Sequence, residues 1–383
     1  MDARPKVGII FNYSENWIGG SYYILNIIHA LNTLEDQRKP NIVVFTPSEA
    51  GYTIVKETTA YPYLNFQQYP NIRQYTTFEK AINKVFKSIF KTKLIRKYPK
   101  YEAVDFLYPK TINEVSTTIK KVNWIPDFQE HYLPEYFSQE EIEERKKVQK
   151  DIICKGDVVV LSSQDAAEDF KTFYPNAKAK TYVLPFAVTL PDFSKESIDV
   201  LRDKHNLPTD YFFAPNQFWA HKNHIVILKA VKYLKEKGVT VTVAMSGKES
   251  DYRNKENFDQ LKDYIISNQL ESQIKFLGFL PREEQLCLFK HSLAIIQPSL
   301  FEGWSTVVED AKALNKFIIL SDLKVHKEQI HDNAAFFSPH DALALANLLQ
   351  NYQLEQPPII HHDYNNNVKL FGENILELIN TYS

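Results

Sequence analysis

The chain has few cysteines, little net charge and no long apolar run. Its 383 residues include two cysteines, Cys154 and Cys287, and neither belongs to a Cys/His metal-binding motif. Such sparse use of cysteine is typical of reduced thiols, and we expect both in the core. The formal net charge of −2 provides no overall attraction for nucleic acid, so we expect no nucleic-acid partner.

The chain also lacks a segment that could target or span a membrane. Met1 to Lys6 leads directly into a strand pattern, without the apolar core of a signal peptide. None of its uninterrupted apolar runs is long enough to cross a bilayer. We therefore expect a cytoplasmic protein, with attachment to a membrane surface as an open alternative.

Strand and helix patterns alternate along the chain in two series. The first opens at residues 7–11, and the second follows a break between Pro185 and Pro191. A chain of this length exceeds one comfortable core, and its 44% of hydrophobic residues can fill two. The pattern predicts an α/β protein with two doubly wound, Rossmann-like domains, residues 1–190 and 191–365, facing a central cleft.

The most informative junction follows the apolar run 292–297. Glu302 and Gly303 form a turn there, and a helix pattern starts near Val307. The first N–H groups of a helix lack intrahelical partners, so a phosphate placed at this end gains hydrogen bonds. The alternative is structural, because Thr306 and Glu309 also fit a capping box that binds nothing.

This junction resembles the C-terminal signature of the family 4 retaining glycosyltransferases, also called glycosyl transferases group 1, which have the GT-B fold. Pro298-Ser299 before the turn, and Ser321-Asp322 and Glu328 after the next apolar strand, match the family pattern as well. The resemblance implies that residues 366–383 form a helix that packs back on the first domain. One departure is that the commoner family spacing between the two glutamates is one residue longer.

The resemblance assigns the donor contacts at this junction. Glu302 is expected to contact the transferred sugar, and Glu309 to hold the nucleotide ribose. The backbone amides after the turn are expected to hold the diphosphate. These donor-binding candidates are Gly303, Trp304, Ser305, Thr306 and Val307.

The loop 216–224 adds a second match. Family members place an Arg and a Lys there, about five residues apart, against the diphosphate. Lys222 matches the Lys, whereas Asn216 and Gln217 stand at the Arg position, so Lys248 or Arg282 is expected to supply the second cation. A cation in this place stabilises the leaving nucleotide, where catalysis gains most.

Glycines mark three more segments with donor-binding candidates. The resemblance places Gly19 and Gly20 near the phosphates, and Gly247 with Lys248 in a glycine turn. Gly278 and Leu280 are expected to seat the nucleobase. The structural alternative is that these glycines only form turns.

Residues 124–134 match the family segment that directs polar groups towards the transferred sugar. Relatives often have a His directly after Gln129, but here Glu130 takes that place and His131 follows. His131 has a catalytic and a purely structural interpretation. The catalytic candidates are Glu302, Lys222, His131 and Asp127.

The resemblance implies transfer of a sugar from a nucleotide-sugar donor to a glycan or lipid-linked glycan acceptor, with retention, in cell-surface polysaccharide or lipid-linked oligosaccharide assembly. No Asp-x-Asp triplet occurs, so we expect neither a metal nor another cofactor. Two alternatives from other classes are a non-hydrolysing nucleotide-sugar epimerase and a non-catalytic GT-B partner subunit.

Residues 78–100, which begin with Phe78 and end with Lys100, form a basic amphipathic pattern. Apolar residues recur at helical spacing between eight Lys and Arg residues, and Glu79 is the only acid. Such a helix can lie on an anionic membrane surface. The alternative is a helix whose apolar side packs on its own domain while the lysines face water.

Overall fold

The computed structural model describes residues 4–14, 18–70, 76–90, 94, 101–112, 115 and 118–383. Strands and helices alternate through these ranges. The first half contains β1 (Lys6–Ile10), α1 (Ile18–Asn32), β2 (Asn41–Thr46), α2 (Glu49–Thr59), β3 (Leu64–Gln68), α3 (Thr77–Phe90), β4 (Phe106–Tyr108), β5 (Val122–Ile125), α4 (Gln129–Tyr132), α5 (Gln139–Lys155), β6 (Val158–Leu161), α6 (Gln164–Phe173) and β7 (Lys180–Val183).

The second half continues the alternation. It contains α7 (Ile198–His205), β8 (Phe212–Pro215), α8 (His224–Glu236), β9 (Val243–Ser246), α9 (Asn257–Ser267), β10 (Ile274–Phe276), α10 (Arg282–His291), β11 (Ile295–Gln297), α11 (Thr306–Ala313), β12 (Ile318–Ser321), α12 (Lys324–Gln329), β13 (Ala334–Phe337), α13 (Ala342–Leu354) and α14 (Asn365–Tyr382). This composition confirms the predicted α/β class.

The first half forms two parallel sheets with the strand orders β3-β2-β1-β4 and β5-β6-β7. The backbone N–H of Trp124 donates to the carbonyl of Pro109 at 2.8 Å and links β5 to the end of β4. Strand β6, Val-Val-Val-Leu, is fully buried, as expected for a parallel strand covered on both faces.

The second half forms one six-stranded parallel sheet with the order β10-β9-β8-β11-β12-β13. The chain winds outwards from β8 in one direction and from β11 in the other, so the strand order reverses between these two neighbours. Loops after the strands on either side of such a reversal leave a crevice at the carboxyl edge of the sheet. The loop after β8, residues 216–223, and the loop after β11, residues 298–305, therefore lie side by side.

The last helix, α14, packs against α1 of the first half. Phe371 and Ile375 belong to the same buried cluster as Ile24 and Ile28 of α1. Gly372 allows this approach, because a Cβ atom there would lie 2.3 Å from the carbonyl oxygen of Ala30. The end of the chain thus completes the core of the first half.

The two cysteines differ in their surroundings. Cys287 is buried, as expected, but Cys154 is exposed, so the expectation of two core thiols was wrong for Cys154. Cys154 lies in the last turn of α5, a helix whose described side chains are mostly in contact with solvent. Its apolar sequence neighbours Ile152 and Ile153 are only partly buried.

Candidate functional site

A cavity of about 270 Å³ is lined by residues from both halves of the chain, which confirms a cleft between them. This volume is close to the lower end of the range for small-molecule sites, roughly 300–1,000 Å³. The first half contributes Ile18, Gly19, Gly20, Tyr22, Tyr23, Trp124, Pro126, Asp127, Gln129, Ser162 and Phe186. The second half contributes Pro215, Asn216, Gln217, Trp219, His221, Lys222, Ser246, Gly247, Phe279, Leu280, Arg282, Gln285, Phe301, Glu302, Gly303, Trp304, Ser305, Thr306, Val307 and Asp310.

Most of the residues predicted for the site therefore meet in one cavity. Four predicted residues do not line it, namely Lys248, Gly278, His131 and Glu309. Gly278 lies one step behind the lining, where its carbonyl accepts a 2.9 Å hydrogen bond from the N–H of Gly247. Its φ of 69° is in the left-handed region, which suits the turn interpretation.

Helix α11 points its N-terminus into the cavity. Ser305 is the N-cap residue, but its side chain makes no capping hydrogen bond, and Thr306 is the first helical residue. The capping box between Thr306 and Glu309, which was the structural alternative for this junction, is therefore absent. The N–H of Ser305 donates to Gln329 Oε1 at 3.1 Å. Because the first amides of a helix lack intrahelical acceptors, the amides of Thr306 and Val307 are the best placed to meet an anion.

Glu302 forms the centre of a charged cluster. Lys222 Nζ lies 2.6 Å from Glu302 Oε1, and the side chains of Gln297 and Ser299 donate to the same oxygen at 2.7 and 2.6 Å. Burial would raise the pKa of this carboxyl, but the charge of Lys222 and the hydrogen bonds from Lys222 and Ser299 outweigh burial and lower the pKa to about 2. Glu302 is thus an ionised hydrogen-bond acceptor at any physiological pH.

The loop that carries Lys222 is fixed against the loop that carries Glu302. The N–H of Leu300 donates to the carbonyl of His221 at 2.8 Å. The Asn223 side chain donates to the carbonyls of Pro298 and Pro339 at 3.0 and 2.7 Å. These bonds set the position of Lys222 relative to the N-terminus of α11 before any ligand binds.

His221 adds a neutral imidazole to the cavity. Burial, followed by the charge of neighbouring Lys222, lowers the pKa of His221 to about 3. A neutral ring next to a lysine contributes no extra repulsion to that cation. The residue can therefore serve as a hydrogen-bonding group without adding charge.

Arg282 rather than Lys248 supplies the second cation in the cavity lining. Its guanidinium is paired with Asp310 and donates to Gln285 Oε1 at 2.9 Å. Lys248 follows Gly247, whose lack of a side chain matters because a Cβ atom there would lie 2.2 Å from the carbonyl oxygen of Asn216. Gly247 thus allows the loops after β8 and β9 to touch, while Lys248 lies outside the lining.

Glu309 lies on the side of α11 that faces away from the cavity. It accepts 2.9 Å hydrogen bonds from Lys312 and Gln329, and another from the hydroxyl of Tyr364. The same hydroxyl accepts from the backbone N–H of Val188 at 3.0 Å. Glu309 therefore ties α11 to the segment before α14, and its geometry gives no support to the predicted contact with a ribose.

Asp310, one residue further along, faces the cavity instead. The longer family spacing between the two carboxylates matches this position, although an aspartate stands here and the glutamate precedes it. Successive residues on a helix point about 100° apart, so only one of the two can face the cavity. Burial raises the pKa of Asp310, and Arg282 opposes this shift.

Asp127 is the charged residue that the described part of the first half contributes to the cavity. Its Oδ1 accepts a 2.6 Å hydrogen bond from Arg145 of α5. Arg145 also donates to Glu130 at 2.7 Å, and Gln149 donates to Glu130 at 2.6 Å. Asp127 is thus oriented by a buried polar network that reaches α5.

His131 points away from the cavity. Its ring stacks on Phe173 of α6 with a centroid separation of 4.0 Å. Residues 129–132 form the short helix α4, so Gln129, Glu130 and His131 point in different directions, and Gln129 faces the cavity. The structural interpretation of His131 fits this position better than the catalytic one.

Two residues of the turn after β11 bring the halves together. A Cβ atom on Gly303 would lie 2.3 Å from the carbonyl oxygen of Pro126, so only glycine fits here. Trp304 Nε1 donates to the carbonyl of Phe186 at 3.0 Å. Gly19 and Gly20, in the first turn of α1, line the opposite side of the cavity.

Some cavity residues were not selected from the sequence. Gln129 and His221 lay inside matching segments, so closer attention to those segments could have found them. Phe279 likewise lay between the predicted residues Gly278 and Leu280, whereas Tyr22 and Phe186 carry no motif of their own. Their position depends on how the two halves pack.

Comparison with known proteins finds a family model that matches most of the second half of the chain. Residues 197–371 match the family model "Glycosyl transferases group 1". A sequence relative is the O-antigen chain mannosyltransferase RfbU of Salmonella typhimurium, 24% identical over 208 residues, which cover 53% of this chain and 55% of RfbU. The match thus spans about half the length of that relative.

Solved structures resemble the whole chain. HepE of Anabaena, in complex with UDP and glucose, superposes with a TM-score of 0.62 at 15% identity and covers 99% of this chain and 95% of its own. A glycosyltransferase from Rickettsia africae gives a TM-score of 0.62 at 14% identity, over 100% of this chain and 94% of its own. At these identities the likeness shows the fold.

None of the helices among the described residues has the length and apolar character needed to cross a membrane. The two doubly wound halves, the cavity between them and the structural neighbours together establish the GT-B fold. Residues 197–371 match the glycosyl transferases group 1, and the whole chain shares its fold with the solved structures above.

Proposed function

We propose that this protein is a glycosyltransferase that moves a hexose from a nucleoside-diphosphate donor to a glycan acceptor with retention of configuration. The observation that carries the proposal is the convergence of the N-terminus of α11, Lys222 and Arg282 on one cavity. A helix N-terminus and two cations form a site for a doubly charged diphosphate.

The donor would lie across the carboxyl edge of the second sheet. The diphosphate would meet the amides of Thr306 and Val307, with Lys222 opposite. Arg282 would face the diphosphate together with Lys222, Asp310 would accept a hydrogen bond from the ribose, and Leu280 and Phe279 would offer apolar surface for the base. Ionised Glu302 would accept hydrogen bonds from hydroxyls of the transferred sugar.

The chemical step would depend on charge stabilisation rather than on a protein nucleophile. As the bond between the sugar and the diphosphate breaks, negative charge grows on the leaving phosphate, and Lys222 and the end of α11 stabilise it. The acceptor would attack from the same face, and the leaving phosphate oxygen would take its proton. Asp127, held by Arg145, would help to position the sugar or the acceptor.

We propose that side chains and helix ends, rather than a metal, neutralise the diphosphate. The support is that Lys222 and Arg282 lie in the cavity, opposite the amides of α11. Transfer measured in excess EDTA should match transfer without EDTA. A loss of activity that Mg²⁺ or Mn²⁺ restores would contradict this part of the proposal.

The acceptor is proposed to be a glycan of cell-surface polysaccharide or lipid-linked oligosaccharide assembly. The support is the similarity to RfbU, whose name describes an O-antigen chain mannosyltransferase. The match covers about half of that relative, so the acceptor of this chain is inferred and its linkage is not assigned.

The first experiment is a thermal-shift screen with UDP- and GDP-linked glucose and mannose. A donor that binds the folded state alone at a hundred times its Kd should add about 2.7 kcal/mol to the free energy of unfolding. The stabilising donor is then incubated with candidate glycans, and the anomeric configuration of the product is determined by NMR. Stabilisation without transfer would favour a partner subunit, and conversion of the donor without an acceptor would favour an epimerase.

A further inference from the structure

Helix α3 (Thr77–Phe90) has an inverted burial pattern. Phe78 and Val85 are 75% and 61% exposed, although an ordinary surface helix would turn such residues inwards. Among its described side chains the buried one is Asn83, which is 7% exposed. The apolar residues therefore lie on a side of the helix that the rest of the described chain does not cover.

These apolar residues form one stripe. Residues four and seven positions apart lie on the same side of a helix, so Phe78, Ile82 and Val85 line up along α3. Ile82 is partly buried, at the boundary between the exposed stripe and the packed side. Leu94, beyond the helix, is also exposed at 56%.

The net charge of α3 is positive. Lys80, Lys84 and Lys87 are exposed and lie on the side of the helix opposite the stripe. Glu79, the one acid of the helix, is engaged at the N-terminus, where its carboxylate accepts from the N–H of Thr76 at 2.8 Å. The solvent-facing surface of α3 is therefore apolar on one side and positive on the other.

We propose that α3 docks on the surface of an anionic lipid bilayer, with Phe78 and Val85 in the boundary between headgroups and acyl chains. Lysines on the polar face of an interfacial helix extend towards the lipid phosphates. A second copy of the chain is a poorer occupant, because packing stripe against stripe would leave the positive charge of both helices without a partner. This proposal stands independently of the donor chemistry in the cavity.

The positive charge of α3 must provide the attraction to anionic lipid, because the whole chain has a formal net charge of −2. Each basic residue near an anionic surface contributes about fivefold in affinity, and the interaction is screened within a Debye length. Binding should therefore need anionic lipid and should weaken as salt increases.

The test is sedimentation with vesicles of phosphatidylcholine, with and without 30% phosphatidylglycerol (about one lipid in three, enough for a negative surface potential). The parent chain should sediment with the anionic vesicles at low salt and stay in solution with the neutral ones. The triple variant Lys80→Glu, Lys84→Glu and Lys87→Glu should bind roughly a hundredfold or more weakly. The double variant Phe78→Asp and Val85→Asp should also lose binding although it keeps all three lysines.

Helix α5 provides the matched control. It carries exposed Lys146, Lys147 and Lys150, and its Val148 is 51% exposed. Substituting Glu for these three lysines changes the net charge by the same amount as the triple variant of α3. Val148→Asp tests an exposed apolar residue outside α3. Both controls should bind vesicles like the parent, and donor-induced thermal stabilisation should be unchanged in every variant.

Three results would overturn the proposal. The first is a parent chain that fails to sediment with anionic vesicles at low salt. The second is an equal loss of binding in the α3 and α5 charge variants, which would indicate general electrostatics. The third is unchanged binding of the Phe78→Asp and Val85→Asp variant, or concentration-dependent dimerisation that these substitutions abolish, which would assign the stripe to a second copy of the chain.

Discussion

The two walls of the cavity differ in chemistry. The wall from the second half contains two cations and two carboxylates, in the ion pairs Lys222–Glu302 and Arg282–Asp310. In the described part of the first half, the wall contains one carboxylate, Asp127, among aromatic residues such as Tyr22 and Phe186. Under the proposed function, the first of these walls would recognise a charged nucleotide, whereas the other would present flat apolar surfaces and a single acceptor group to sugars.

The difference also concerns how the charged groups are held. In the second wall the cations are paired with carboxylates of the same wall, so a diphosphate must compete with Glu302 for Lys222. In the first wall Asp127 is paired with Arg145, which lies behind the cavity. Substitutions in the second-half wall should therefore change nucleotide affinity and turnover. Substitution of Asp127 in the first-half wall should mainly change the binding of the sugar or the acceptor.

The largest expected effect is that of Lys222→Ala. Loss of the cation that stabilises the leaving diphosphate should lower kcat by about 100- to 1,000-fold, with a smaller change in donor Kd. Steady-state kinetics and calorimetric titration of the donor measure the two quantities. Asp127→Asn is the comparison from the opposite wall, and its donor Kd should stay within about twofold of the parent, since a neutral isostere keeps the shape of the wall. Equal kinetics in Lys222→Ala and the parent would remove this lysine from the mechanism.

The second prediction separates two adjacent carboxylates. Asp310→Asn, in the cavity, should weaken donor binding about tenfold, in line with the loss of one charged hydrogen bond. Glu309→Gln, behind α11, should leave donor affinity unchanged but lower the melting temperature, because Lys312, Gln329 and Tyr364 lose a charged acceptor. The reverse pattern would return the ribose contact to Glu309.

Glu302→Gln should have opposite effects on binding and transfer. Without its carboxylate partner Lys222 is free to meet phosphate, so affinity for the nucleoside diphosphate should rise a few-fold while transfer falls. Titration with the diphosphate alone, compared with titration with the complete nucleotide sugar, tests this. A decrease in diphosphate affinity would show that the ion pair does not compete with the ligand.

The smallest effect concerns His221 in the second wall. Because the pKa of His221 is lowered to about 3, the unfolded chain binds a proton below pH 6.5 that the folded chain does not. The free energy of unfolding should therefore decrease as pH falls from 6.5. Between pH 6.5 and 4.5, the free energy of unfolding measured in urea should fall by roughly 1–3 kcal/mol less in His221→Asn than in the parent. Parallel pH profiles would contradict the burial of a neutral imidazole.

Much of the fold follows from local patterns in the sequence. Buried, largely apolar strands such as β6 and β12 predict parallel sheets, and the turn at Gly303 followed by α11 predicts an anion site. The edge strand β3, Leu-Asn-Phe-Gln-Gln, carries no such signal, because its side chains are only partly buried. Its place in the sheet depends on pairing with β2.

A site residue could be predicted from the sequence where its position depends only on its own loop. Glu302, Lys222 and Gly303 lie in loops after strands, and the family resemblance of those loops was enough to select them. The choice between Glu309 and Asp310 depends on the rotation of α11, and the choice between Lys248 and Arg282 depends on loops from different strands. His131 shows the same limit, because its position in the single turn of α4 determines that its ring faces Phe173.

The most direct test of the central claim concerns the backbone N–H of Thr306, the first helical residue of α11. Proline is well tolerated at this position, and Ser305 before it already has an extended backbone, with φ −92° and ψ 118°. Thr306→Pro therefore removes one amide while the helix is kept, and Thr306→Ala controls for the side chain. In calorimetric titration, Thr306→Pro should bind the nucleotide-sugar donor about 10- to 100-fold more weakly than Thr306→Ala at an unchanged melting temperature. Equal donor affinity of the two variants would contradict a diphosphate site at the end of α11.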